Sequence, residues 1–393
     1  MSIRDDYNHT LYASYVGYIT QAIVNNFAPL LFLTFARQFS LTLDRLALIT
    51  TLNFAVQLLV DLVSARVVDR IGYRVCVVAA HVLAAAGLVA LALLPQLMPD
   101  AYAGILIAVV LYAVGGGLIE VLISPIVESC PTERKEAAMS LLHSFYCWGH
   151  LAVILLSTLF FTLAGIDRWP WLAGLWALVP LANCFYFARV PLYSLTGGQA
   201  PLSIRHLFRQ RVFWVLMVVM VCAGASEQAM SQWASAFAES ALHLSKTVGD
   251  LAGPCLFALL MGTSRALYGK FSEKLPLKKA MIGCAALCVG CYLLASLTAS
   301  PALGLAGCAA CGFSVGIFWP GTFSIAAAAL PSAGTAMYAF MALAGDVGCS
   351  GGPTLVGFVA SAFGGDLKRG LLFAVVFPML ILAGIARLRR RAK

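Results

Sequence analysis

Four carboxylates, Asp61, Glu120, Glu227 and Asp346, each sit inside a stretch of sequence that is otherwise apolar. An ionisable group in hydrocarbon costs about 2.5–3.5 kcal/mol at the centre of a helix, so such groups face a cavity or a partner. The Lys and Arg of the same stretches read as lying at their ends, which leaves the acids without a base at their own depth. Burial disfavours the ionised form of such an acid, so all four are candidates for taking up and releasing protons. Glu120 leads, because it follows Gly115, Gly116 and Gly117 and precedes Pro125, where a helix can deform. Acids without bases also favour a neutral or cationic ligand over an anionic one.

Groups suited to hydrogen bonding accompany the acids. Glu227 is followed by Gln228 and, one turn on, by Ser231, a cluster able to donate to and accept from hydroxyls. Asn25 and Asn26 are paired in the first apolar stretch. His143, Tyr146 and His150 fall at i, i+3 and i+7, on one helical face, where they could bind a ligand, relay protons or simply pack. Trp319, beside Pro320, and Trp233 offer flat surfaces for a sugar-like ring. Asn53, Gln57 and Asp61 form a polar stripe at i, i+4 and i+8. Asp346 lies among Gly345, Gly348, Gly351, Gly352 and Pro353, a sequence that packs closely and bends. The stripe and Asp346 read as a gating interface, with a second proton site as the alternative.

The elements that must position these groups follow from composition. Of 393 residues, 61% are hydrophobic and 11% charged, and the mean hydropathy is +0.89. Soluble domains carry roughly 25% charged residues, so a soluble enzyme is excluded. A helix needs about 20 apolar residues to cross a bilayer. Twelve spans fit, at approximately 11–36, 44–65, 73–94, 102–127, 138–164, 169–189, 212–238, 247–269, 279–298, 302–330, 335–363 and 369–387. They leave no room for a catalytic domain. The N-terminus runs straight into the first span, which is expected to stay in the mature protein rather than act as a signal peptide.

The net charge of +9 is distributed by topology, not for nucleic acid. Of 26 Lys and Arg, six (Arg37, Arg45, Arg168, Lys246, Lys368 and Arg369) fall on one side of the twelve-span reading. The other 20, Arg265 and the tail Arg389, Arg390, Arg391 and Lys393 among them, fall opposite, which places both termini in the cytoplasm. Trp169, Trp171 and Trp176 read as an interfacial aromatic belt. Cys308-x-x-Cys311 sits mid-span among Gly, Ala and Leu with no His or carboxylate near it, and reads as small packing residues rather than a metal or redox pair. Neither disulfides nor a metal or other cofactor is expected.

The longest polar connection, broken by Pro191, Gly197, Gly198 and Pro201, divides the chain near its middle. Residues 1–190 are expected to form one six-helix bundle, 191–211 a cytoplasmic linker and 212–393 a second bundle. Between spans 2 and 3 the chain carries Asp69-Arg70-x-Gly72-x-Arg74. Between spans 8 and 9 it carries Glu273 and Lys274 in the equivalent place. Acid, base and turn residue thus recur once per half.

This loop, its weaker second copy, twelve spans and a central cytoplasmic connection resemble the major facilitator superfamily over the whole chain. The resemblance implies two bundles around a cavity with alternating access, and a loop carboxylate that helps to hold the halves in one state. Residues Asp69, Arg70, Gly72, Arg74, Glu273 and Lys274 would then serve gating. Glu120 in GGGLIEVLISPIVES, Asn25-Asn26, HSFYCWG and GIFWPGTFS resemble the fucose–galactose–glucose:proton symporter branch. Ser124 stands where that branch has Asn, and Pro29 where it has an aspartate after the paired Asn.

The sequence reading is therefore an all-α, twelve-span secondary transporter of the cell membrane, acting as a monomer and not an enzyme. It lacks HExxH, Gly-x-Ser-x-Gly and ATP-binding motifs. The cargo is read as a small neutral polyhydroxylated solute such as a monosaccharide, taken up with protons, sodium remaining open as coupling ion. The alternative is proton-driven export of cationic or amphipathic compounds.

Overall fold

Short polar residues start several of the helices. The Asp6 carboxylate accepts the Asn8 N–H at 2.9 Å, Asp100 accepts that of Tyr102 at 2.9 Å, and Asp366 accepts that of Lys368 at 3.0 Å. Each satisfies one of the amides a first turn leaves open. The computed structural model describes residues 3–388 apart from 42, 194–201, 232, 235–236, 238–252, 254 and 332. Gly197 and Gly198 of the linker, Lys246, the start of span 8 and the basic tail from Arg389 lie outside the described residues.

The described chain is helical: α1 Tyr7–Leu30, α2 Phe32–Gln38, α3 Leu43–Ile71, α4 Tyr73–Leu97, α5 Ala101–Ser129, α6 Lys135–Ala164 and α7 Trp169–Phe187. After the connection come α8 Ile204–Arg209, α9 Arg211–Ser231, α10 Leu256–Phe271, α11 Leu277–Leu297, α12 Pro301–Val315, α13 Phe318–Ala329, α14 Gly334–Ala362, α15 Leu367–Ala374 and α16 Val376–Arg387. As far as its residues are described, each expected span falls on one helix or on a pair that meets at a break. The breaks interrupt spans 1, 10 and 12, at Leu31, at Gly316–Ile317 and at Val375. A proline lies within four residues of each, at Pro29, Pro320 and Pro378, and removes a helical N–H. Among the described residues, eight helical segments are long and apolar enough to cross a membrane.

Two compact units emerge. The first comprises Met1–Thr132, Phe145–Ala200 and Gly334–Ala339, and the second Glu133–Ser144, Pro201–Ala333 and Phe340–Lys393. Helix α6 thus begins in the second unit and continues in the first, while α14 does the reverse. In the first unit α4 and α5 meet at small residues. A Cβ on Gly115 would lie 2.6 Å from the Ala80 carbonyl oxygen. In the second, α14 lies against α9 so closely that a Cβ on Gly348 would reach 1.9 Å from the Val221 carbonyl oxygen. Membrane helices gain their association from such close approach.

Two sequence expectations are corrected here. Trp169 is not part of an interfacial belt: it is fully buried, edge-on to Phe35 at 5.2 Å, with Nε1 donating to Gln38 Oε1 at 2.9 Å. Trp176 is half-buried and donates to Ser157, which leaves Trp171, 75% exposed, as the outward ring. Arg265 does not lie at the basic end of its helix. It is 3% exposed and lies beside Glu227, so that acid does have a base next to it.

Candidate functional site

In the first unit, three helices bring amides and a carboxylate into one network. Gln21 on α1 donates Nε2 to Glu120 Oε2 on α5 at 3.0 Å and to Gln57 Oε1 on α3 at 3.1 Å. Gln57 passes the chain back to α1, donating Nε2 to Asn25 Oδ1 at 2.9 Å, where Asn53 Nδ2 also donates at 3.2 Å. Two acceptors in it, Gln21 Oε1 and Asn53 Oδ1, are buried and have no hydrogen-bond donor among the described residues. Glycine makes room for the amides, since a Cβ on Gly116 would lie 3.2 Å from Gln21 Oε1 and one on Gly117 3.1 Å from Gln57 Cα. Asn53 and Gln57, read from sequence as part of a gating stripe, thus belong to the network that reaches Glu120 through Gln21. Asn26 stays out of the network and donates to the Ala22 carbonyl of its own helix at 2.8 Å. Asp61 is fully buried one turn beyond Gln57.

In the second unit the acid has a base. Arg265 Nη2 lies 3.3 Å from Glu227 Oε2, and the two side chains are 4% and 14% exposed. Gln228 beside it accepts from Ser231 Oγ at 3.4 Å. His143 contributes its carbonyl to Arg265, and its ring lies 5.9 Å from that of Phe323. Tyr146 and His150 are half-buried and belong to the first unit, so the expected trio on α6 is divided between the units. The Trp319 ring packs edge-on to Phe323 at 6.4 Å, and Trp233 donates Nε1 to the Pro353 carbonyl at 3.0 Å. Asp346 is 7% exposed on α14.

The loops after α3 and α10 bind differently. Asp69 accepts from Thr335 Oγ1 at the start of α14, and Thr335 also shares a hydrogen bond with Tyr73. Gly72 turns with φ +97°, a conformation that strains residues bearing a Cβ. Arg74 closes the end of α7, donating to the carbonyls of Phe187, Ala188 and Val190 at 2.9, 3.0 and 3.0 Å. Arg70 is exposed. In the second copy, Glu273 pairs with Arg134 at 2.7 Å, both well exposed, while Lys274 supplies a backbone N–H to the Phe271 carbonyl.

The sequence profile of the Major Facilitator Superfamily matches residues 14–353. The chain belongs to that superfamily. No curated protein sequence matches it. Solved superfamily members share its fold at low identity. The transporter FucP in its outward conformation is 14% identical with a TM-score of 0.82, covering 96% of this chain and 97% of FucP. The proton:xylose symporter XylE, bound to 6-bromo-6-deoxy-D-glucose, is 12% identical with a TM-score of 0.78, covering 97% and 95%. The human organic anion transporter MFSD10 is 14% identical with a TM-score of 0.76, covering 97% and 100%. Major facilitator proteins are membrane transporters rather than enzymes, and they bind small-molecule substrates.

Two residues of this superfamily member were not among the sequence candidates. Gln21 had a signal, because Tyr18, Gln21 and Asn25 recur at i, i+3 and i+7 on α1. Arg265 had one as well: it stands five residues before Lys270, about 7.5 Å deeper along the helix axis.

Proposed function

We propose that this chain takes up a small neutral polyhydroxylated solute, a monosaccharide or close relative, together with protons. The observation that carries the reading is the network around Glu120, in which amides and a carboxylate line up with two buried acceptors left over. A sugar hydroxyl donates to such acceptors and can accept from the amides in turn, where an apolar ligand would leave the set unfilled. Glu120 is the proposed proton carrier, with Gln21 donating to its Oε2. The ion pair of Arg265 with Glu227 supports a neutral cargo, since the buried charges there already balance. The fold shared with a proton:xylose symporter supports the same direction.

The proposed setting is the cell membrane, with both termini in the cytoplasm as the basic residues indicate. The proposed working form is a monomer. Gating is assigned to the loop residues Asp69, Arg70, Gly72, Arg74, Glu273 and Lys274, with Asp61 and Asp346 contributing along their helices. A thermal-shift screen of the purified protein against sugars, polyols, amino acids and cationic drugs tests the cargo, because a ligand of the folded state raises stability by RT ln(1+[L]/Kd). Stabilisation by monosaccharides is the expected result. Stabilisation by cationic drugs alone would overturn it in favour of export, and a sodium-dependent shift would replace the proton as coupling ion.

A further inference from the structure

A helical carbonyl is normally met by the N–H four residues on. Four residues after Gly316 stands Pro320, which has no N–H to offer. The break between α12 and α13 therefore leaves the Gly316 carbonyl without its usual donor. Arg265 supplies one, with Nε 2.7 Å from that oxygen. The same guanidinium donates Nη1 to the His143 carbonyl at 3.1 Å and Nη2 to Glu227 at 3.3 Å. One planar fork thus fixes points on α6, α9 and the break of span 10, all within the second unit.

The break is also pressed against the helix that carries Arg265. A Cβ on Gly316 would lie 2.8 Å from Ser264 Cβ and 2.9 Å from the Met261 carbonyl oxygen. Three residues beyond Gly316 stands Trp319, whose ring lies over Gly345. Anything that moves the guanidinium takes the Nε donor from the Gly316 carbonyl and disturbs the base from which Trp319 projects. The guanidinium stays because Glu227 balances it. A buried cation deprived of its counter-charge is strongly disfavoured and moves toward water or another anion.

We infer that Arg265 is a positioning residue that makes the backbone break of span 10 depend on the charge of Glu227. Loss of that charge slackens the hold on Gly316. Its consequence for transport rests on the proposed sugar site, but the link between Glu227 and the break does not.

Hydrogen exchange of the full-length purified protein, followed in peptides covering 314–324, tests this directly. Arg265→Gln should raise exchange there by about tenfold or more, since local opening sets the rate. Pro320→Ala restores the N–H that Gly316 lacks, so Arg265→Gln with Pro320→Ala should return exchange to within about threefold of the parent. Glu227→Gln should raise it as Arg265→Gln does, and combining those two should add little. Unchanged exchange in Arg265→Gln, or failure of Pro320→Ala to correct it, would mean that Arg265 is only a counter-charge and would overturn the inference. Should Arg265→Gln not fold, Glu227→Gln decides alone, and flat exchange in that variant overturns the inference equally. Uptake of fucose and xylose into proteoliposomes is measured beside it. If the parent moves neither sugar while exchange follows the expected pattern, the cargo assignment fails and the role of Arg265 stands. If the parent moves a sugar while exchange stays flat, the role of Arg265 fails alone.

Discussion

The Trp319 ring occupies the space that a side chain on Gly345 would need: a Cβ there would lie 2.2 Å from Trp319 Cη2. The glycine is thus what lets the indole lie across α14. Gly345→Ala should displace the ring and cost about 1–3 kcal/mol, the usual penalty for overpacking. The melting temperature and tryptophan fluorescence of the purified variant measure this. Gly351→Ala, whose Cβ would meet nothing within 4 Å, should leave the fluorescence unchanged and not lower the melting temperature, and serves as the control.

Glu120→Gln should abolish proton-driven accumulation of a transported sugar while leaving exchange across proteoliposomes largely intact. Glutamine matches the protonated acid in size and can still bond Gln21, but it cannot release a proton. Full pH-driven accumulation by this variant would move the proton role to another acid.

Arg74→Ala should lower stability by on the order of 1 kcal/mol, because it strips donors from three carbonyls at the end of α7. Arg70→Ala, at an exposed position beside it, should stay within about 0.5 kcal/mol of the parent. Thermal melts of both variants in detergent distinguish a helix-closing Arg74 from a loop in which the two cations are equivalent.

Single cysteines introduced at Gly198 and Asp167 should label from opposite faces of the membrane, Gly198 from the cytoplasm. None of the 12 native cysteines is exposed, so background labelling should be low. Labelling of both positions from one face would refute the twelve-span topology.

What could be read in advance depended on whether a residue's type alone betrays its setting. Glu120 stood out because a carboxylate amid GGGLI and VLISP must meet a cavity or a bonding partner on a neighbouring helix. Asn53 and Gln57 were legible as a stripe but not in their destination, since periodicity gives the face of a helix and not the neighbour it meets. Gln21 escaped because one amide among Tyr, Ile and Ala carries little contrast until Asn25 and Tyr18 are placed on the same face. Arg265 was misplaced for another reason. Counting charge by loop sorts Arg265 with Lys270 and Lys274, whereas depth along the helix separates them. The break of span 10 was not read from the sequence, although Pro320 is its cause, and the donor that stabilises it comes from a different helix that only folding brings near.

Helix α1 is 24 residues long, yet it is not among the segments apolar enough to enter a bilayer by composition. Its Gln21 and Asn25 meet their partners on α3 and α5, which are synthesised later. This span is thus one that the translocon would pass over to lipid reluctantly. Its stable integration waits until residues up to Ser129 have emerged to receive its amides. Chains halted after α2 should therefore remain poorly inserted and be cleared by quality control, while chains halted after α5 should be retained. The polar groups proposed to serve the cargo also set the order in which the protein can be built.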